Sequence, residues 1–244
     1  MNSFNSFLNK LAGGFERNGG GRVSMAIVWG CSALFATLSV LHWVGLMSWD
    51  YSISILGLSR SGVFEHWWAF EFVTSPFVHG NLTHFAFNML SLWMLGPPIE
   101  RVLGRTRYIL FSSLCAVAAQ VGFLCLSGSP YQVGFGYSGV IFGILVAQAA
   151  YFPEQRVFIF ALFPLKMRSA ALVLGCIEVY LTLSAGSGRL SHAAHMFGAL
   201  AGLAFIWVIR FQNKCHPFPD SVKPPLVKPR VRPRIVRNDM PREI

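Results

Sequence analysis

Two residues of this chain have the types and settings needed to share one reaction. Ser138 lies in Gly136-Tyr137-Ser138-Gly139-Val140-Ile141-Phe142-Gly143, inside one of the longest uncharged regions, and His195 opens the run His195-Met196-Phe197-Gly198-Ala199-Leu200-Ala201-Gly202. A serine hydroxyl is a poor nucleophile until a base takes its proton, and a neutral imidazole is the usual base near physiological pH. At helical spacing Gly136, Gly139 and Gly143 form a stripe without side chains, with Ser138 and Phe142 on the neighbouring stripe; His195, Gly198 and Gly202 share one face of a second helix. Two such faces approach closely, which sets the serine beside the histidine, with Phe142 placed to pack on the imidazole. A tetrahedral intermediate also needs donors for its oxyanion. His84 and Asn88, one turn apart on a third segment, share a face that can supply them, and the Ser138 N–H near a helix N-terminus adds another. No Asp lies near either motif, and Glu178 reads as sitting deeper in its own segment. The expectation is therefore a Ser-His dyad, with a helix-to-helix hydrogen bond or a proton relay left open for Glu178.

The elements that position these residues follow from composition. Of 244 residues 54% are hydrophobic and only 12% charged, against about 25% charged in soluble domains. Uncharged runs long enough for the roughly 20 residues of a membrane span give a first span from Met25 to about Val44 and a second within Phe72 to Ile99. The region from Tyr108 to Pro153 fits two more, broken near Ser127-Gly128-Ser129-Pro130. A fifth runs from Ser169 to about Leu183 and a sixth from Leu190 to Ile209. Residues 45 to 71 form an aromatic loop suited to the membrane interface, and the apolar run Val157 to Leu165 is too short to cross. The expected organisation is an N-terminal segment 1–22, an all-α six-span core 23–210, and a basic, Pro-rich, disordered tail 211–244.

With six spans, all but Arg60 and Arg189 of the 20 Lys and Arg fall on the side of the two termini, which places both ends in the cytoplasm. The second, fourth and sixth spans then run in the same direction, and His84, Ser138 and His195 land in their opening turns at a common depth. Ionisable residues inside a membrane are costly, so this convergence favours function. The basic tail is explained by anionic lipid headgroups, without nucleic acid. The five cysteines show neither a disulfide framework nor a metal motif.

Other chemistries fit less well. Val140 replaces the second glycine of an α/β-hydrolase elbow, and no strand precedes Ser138. A metal site built on His192, His195 and His84 lacks a carboxylate or cysteine at matching depth, and no HExxH is present. A transporter would show internal repeats and a midplane site. An inactive binding protein on the same scaffold would have lost the serine or the histidine, and both are present.

The motifs together resemble those of the rhomboid intramembrane serine proteases over about residues 25 to 209. Gly136-Tyr137-Ser138-Gly139 matches the GxSG motif, and Ala194-His195-Met196-Phe197-Gly198 with Gly202 matches AHxxGxxxG. His79-Gly80 with His84 and Asn88 matches HGxxxHxxxN, and Gly96-Pro97-Pro98-Ile99-Glu100 resembles the charged end of the second span. The resemblance implies a six-helix bundle with Ser138 as nucleophile, His195 as base, and His84 and Asn88 at the oxyanion. It implies neither cofactor nor metal, and substrates that are single-pass membrane proteins cut within the bilayer. The location expected is the plasma (inner) membrane. One departure is visible: Phe70-Glu71 stands where many members carry Trp-Arg.

Overall fold

A computed structural model of the chain describes residues 21–159, 163–184 and 188–215. The expected N-terminal segment up to residue 20 and the tail from residue 216 lie outside them. Long helices dominate: α1 (Arg22–Trp43), α5 (Leu82–Leu103), α6 (Arg105–Leu126), α7 (Ser138–Tyr151), α8 (Met167–Leu183) and α9 (Arg189–Cys215). By length and apolar composition three of them can cross a membrane: α1, α6 and Arg189–Phe211 of α9. Helix α7 is apolar but only 14 residues long. Helix α5 carries Pro97, Pro98, Glu100 and Arg101, and α8 has just 17 residues.

The core forms where α5, α6, α7 and α9 meet, around Leu92, Ile99, Tyr108, Phe111, Val140, Ile144 and Ile206. The outer faces are as apolar as the inside. Trp29 is 72% exposed, Leu172 68% and Trp207 67%, a surface suited to hydrocarbon rather than water.

Helix α1 shows how distant residues complete a local structure. Its N-cap, Gly21, has a left-handed backbone and offers no capping side chain, leaving the first N–H groups to find acceptors elsewhere. Glu100 of α5 supplies them: its carboxylate accepts from the N–H of Val23 and from both the N–H and Oγ of Ser24, each at 2.9 Å. The negative charge faces the positive end of the helix dipole. Next to this clamp, Pro97 and Pro98 withhold two N–H donors from α5, and the buried Gln148 of α7 donates to the Leu95 carbonyl at 2.7 Å.

The stretch between α1 and α5 is built from short pieces: α2 (Trp49–Leu56), β1 (Leu58–Ser59), α3 (Arg60–Phe64), α4 (Glu71–Thr74) and a 3₁₀ turn at Ser75–Phe77. The uncharged run beginning at Phe72 is therefore not helical throughout. Pro76 and Gly80 interrupt it, and α5 starts only after Asn81, whose side chain caps the helix by accepting from the His84 N–H at 2.8 Å. His79 accordingly lies in the loop before α5. Strand β1 pairs antiparallel with β2 (Val133–Gly134), Leu58 opposite Gly134 and Ser59 opposite Val133, so, contrary to the expectation from sequence, a two-residue strand does precede Ser138. The first loop is thereby fastened to the segment leading into Ser138.

At the Phe70-Glu71 departure the two side chains diverge. Phe70 faces outward, 44% exposed, whereas Glu71 is fully buried. The Glu71 carboxylate accepts from the Ser59 N–H at 3.0 Å, and a side chain at Gly62 would collide with it. Burial pushes the Glu71 carboxyl above its ordinary range, against the pull of the bonds from Ser59. Its other oxygen has no partner, an arrangement that costs a neutral carboxyl less than a carboxylate.

The segment from 154 to 168 that is too short to cross folds as an antiparallel hairpin, β3 (Arg156–Ile159) with β4 (Phe163–Lys166). Glu154 is paired with Lys166 at 2.7 Å and Arg168 at 2.9 Å at its base, and the bond from Lys166 holds this exposed carboxylate below its usual range.

Candidate active site

Helix α7 begins at Ser138, with Tyr137 as N-cap. The sequence pattern places Gly136 on the helical stripe; the structure puts it before the helix, at φ +106°. That conformation is open mainly to glycine, and the space is closed as well, since a Cβ there would come within 2.6 Å of the His84 ring. The Gly136 N–H is held by the Ser75 carbonyl at 2.9 Å. Gly136 thus lets the chain turn past His84 into the helix, and the N–H groups of Ser138 and Gly139, in its first turn, have no partner within the helix.

The remaining glycines act as the pattern predicts. Gly139 and Gly143 of α7 meet Gly198 and Gly202 of α9 backbone to backbone; a Cβ on Gly202 would lie 2.7 Å from the Gly143 Cα, and one on Gly198 would strike the Gly139 carbonyl. The helices close to a distance that no side chain permits. Ser138, next to Gly139 on α7, and His195, one turn before Gly198 on α9, are brought together: His195 Nε2 and Ser138 Oγ are 2.8 Å apart. The Phe142 ring stacks on the imidazole with centroids 4.6 Å apart and planes 14° from parallel, so the ring plane is fixed by shape.

His195 has a second partner. Its Nδ1 lies 3.1 Å from Glu178 Oε2, and His192 Nδ1 lies 2.9 Å from the same oxygen. This corrects the expectation that Glu178 sits deeper than the motifs. Helix α8 ends at Leu183 and α9 starts at Arg189, so Glu178 and His195 each stand about one and a half turns from those ends. Depth counted from that end of α8, not from its beginning, would have matched the two in sequence. A carboxylate does therefore lie at the level of His192 and His195. The ligating atoms of all three are within 4.8 Å of one another, so among the described residues these three could hold a metal ion. His84 is not among them.

A cavity of about 350 Å³ opens beside the serine, lined among others by His84, Gln120, Phe135, Gly136, Ser138 and His195. His84 reaches it from α5, its ring held between His79 at 5.3 Å and Phe135 at 5.9 Å. Asn88 does not line it: the Asn88 side chain is buried and donates one amide N–H to the His84 carbonyl at 2.8 Å. Gln120 of α6, a lone amide in an uncharged run with no motif around it, fastens the wall by donating to the Phe72 carbonyl at 2.9 Å and Ser75 Oγ at 2.8 Å.

The profile described as Rhomboid domain matches residues 65–212, more than half of the chain. The chain is 32% identical over 144 residues to "Presenilin-associated rhomboid-like protein, mitochondrial" of Bos taurus, which covers 57% of this chain and 37% of that protein. It is 26% identical over 154 residues to "Putative rhomboid protease YdcA" of Bacillus subtilis, covering 61% of this chain and 71% of the relative. Against "Rhomboid protease GlpG" of Yersinia pestis the figures are 24% over 129 residues, 53% and 43%. The match thus spans little more than a third of the mammalian protein and most of the Bacillus one.

Proposed function

The chain belongs to the rhomboid family, and from that premise we propose that it is an intramembrane serine endopeptidase, with Ser138 as nucleophile and His195 as base. It is an integral membrane protein. The observation that carries the proposal is the 2.8 Å approach of His195 Nε2 to Ser138 Oγ at the wall of a cavity. In the proposed reaction the Ser138 Oγ proton passes to His195 Nε2 as Oγ bonds to the carbonyl carbon of the scissile peptide, and the carbonyl electrons move onto oxygen. His195 then gives the proton to the departing amine nitrogen. Water repeats the sequence on the acyl-enzyme and releases the acid.

The oxyanion is assigned to the Ser138 N–H and to His84, which line the cavity; Asn88 is proposed as a further donor whose second amide N–H must turn toward the cavity when substrate binds. Removing one such donor typically costs about 10²- to 10³-fold in turnover. His84→Ala and Asn88→Ala are expected to lose that much kcat with KM largely kept; parental rates in both would remove α5 from the site.

Helices α1, α5, α6, α7, α8 and α9 are proposed as six spans, with both termini in the cytoplasm and the plasma (inner) membrane as location; positive-inside counting supports the orientation. Helix α7, at 14 residues, is about 21 Å long against a hydrocarbon thickness of roughly 30 Å. Ser138 at its N-terminus is then recessed below the membrane surface. The substrates proposed are single-pass membrane proteins, cut where helix-breaking residues expose carbonyls that a regular helix keeps hydrogen-bonded. The direct test is cleavage of a transmembrane substrate by purified full-length chain in detergent, beside Ser138→Ala. A serine-directed fluorophosphonate should mark Ser138 in the parent alone. Cleavage that persists in Ser138→Ala would end the proposal.

A further inference from the structure

The three-residue cluster on the far side of His195 is not used by a dyad mechanism. Glu178 is nearly buried, with its side chain 10% exposed. One of its oxygens, Oε2, carries both contacts, to His192 Nδ1 at 2.9 Å and to His195 Nδ1 at 3.1 Å. A carboxylate can only accept hydrogen bonds, so each Nδ1 must be the donor. A neutral imidazole has a single N–H. With that proton on Nδ1, His195 Nε2 keeps its lone pair, and the atom facing that lone pair is Ser138 Oγ at 2.8 Å. The Phe142 stack fixes the plane of the ring but is indifferent to which nitrogen holds the proton. Among the described residues Glu178 is the one group whose geometry chooses the tautomer.

From this the geometry points to Glu178 as a positioning residue that turns the Ser138–His195 pair into a carboxylate–imidazole–hydroxyl triad, with His192 bracing the carboxylate. The inference rests on the serine-protease proposal above. When Ser138 Oγ transfers its proton to Nε2, His195 becomes an imidazolium with a proton on each nitrogen. The Nδ1 proton stays on the ring, and the negative carboxylate beside it stabilises the new charge. Glu178 neither gains nor loses a proton. His192, edge-on to His195 with ring centroids 5.9 Å apart, donates to the same oxygen from its place on α9. This keeps the carboxylate aimed at the histidine next to it.

The test uses the full-length chain in detergent, with steady-state cleavage and ¹⁵N-histidine NMR as separate readouts. In the parent, His195 should be found as the Nδ1–H tautomer. Glu178→Gln preserves size and can present its amide N–H to Nδ1, which forces the proton onto Nε2. Loss of the correct tautomer in a triad costs up to about 10⁴-fold; a fall in kcat of about 10²- to 10⁴-fold is expected here, with KM little changed and the His195 signals moving toward the Nε2–H form. Glu178→Asp, which restores the charge, should recover part of kcat and the Nδ1–H signal. A purely structural role predicts a different pattern, in which activity is lost while the tautomer stays parental, and that result would overturn the inference. So would parental kcat in Glu178→Gln, or an Nε2–H tautomer in the unaltered protein, a measurement that needs no variant to fold. Activity abolished by a chelator and restored by zinc would reassign Glu178, His192 and His195 as metal ligands and overturn it too. An inactive Ser138→Ala beside a fully active Glu178→Gln defeats the triad alone; an active Ser138→Ala defeats the protease proposal beneath it.

Discussion

Besides Glu71, two glutamates among the described residues are buried, each on a long helix, and their surroundings have little in common. Glu100, 2% exposed, answers to α1: two backbone N–H groups and a serine hydroxyl occupy both of its oxygens. Glu178, 8% exposed, meets two imidazoles through one oxygen. A buried charge persists only where hydrogen bonds offset its desolvation, and both residues meet that demand. The partners differ in kind. Backbone N–H groups at a helix end do not change protonation during turnover, so Glu100 is bound to the architecture. A histidine that also touches a nucleophile does change, so Glu178 is bound to the reaction. The polarity of a buried carboxylate says less about its role than the chemistry of what it accepts from.

That contrast can be broken most decisively at the reacting pair. Ser138→Ala and His195→Ala should each lower kcat by at least about 10⁴-fold, and the double variant should be no worse, because residues that act as one unit are not additive. Additive losses would mean that the two side chains do not share a step, and Glu178 would lose the histidine through which it acts. Glu100→Ala comes next, with its effect on stability instead of chemistry. It strands the first N–H groups of α1 and should lower unfolding free energy by about 3 kcal/mol, seen as a lower thermal midpoint in detergent, while kcat per folded molecule stays within about twofold of the parent. A kcat loss without a change in midpoint would erase the distinction between the two carboxylates. The smallest effect belongs to His192→Ala. Removing one of the two donors to Glu178 is worth about 1 kcal/mol, less than tenfold in rate, and substantial cleavage should remain. Complete inactivity there, with His195→Ala still active, would move the base to the other histidine.

The site was legible where its chemistry depends on side chains at fixed spacing. Ser138, His195, Phe142 and the Gly139/Gly143 and Gly198/Gly202 contacts follow from helical periodicity, and the structure assembles them as the spacing dictates. Gly136 was misplaced for a physical reason. A glycine one residue from a helix start has the same spacing whether it is inside the helix or turning into it, and only the positive φ beside His84 separates the two. Asn88 shares a face with His84 as predicted, but a helical Asn can satisfy itself on the preceding turn, and here it bonds the His84 carbonyl. The uncharged run from Phe72 bounds the second span without marking its start, because absence of charge does not reveal that Pro76, Gly80 and the Asn81 cap divide it. The outward-facing Phe70 and buried Glu71 depend on a distant partner, Ser59, which no local pattern names.

The clamp on α1 also carries a clock. Val23 and Ser24 are synthesised 77 and 76 residues before the glutamate that completes them. At about 5 to 20 residues per second, the first turn of α1 spends roughly 4 to 15 seconds with its N–H groups answered only by water or lipid headgroups. Among the described residues the first helix to emerge is thus completed only with the fifth, and α1 stays free to tilt and shift until α5 arrives. Along this stretch of chain the order of manufacture and the order of assembly differ.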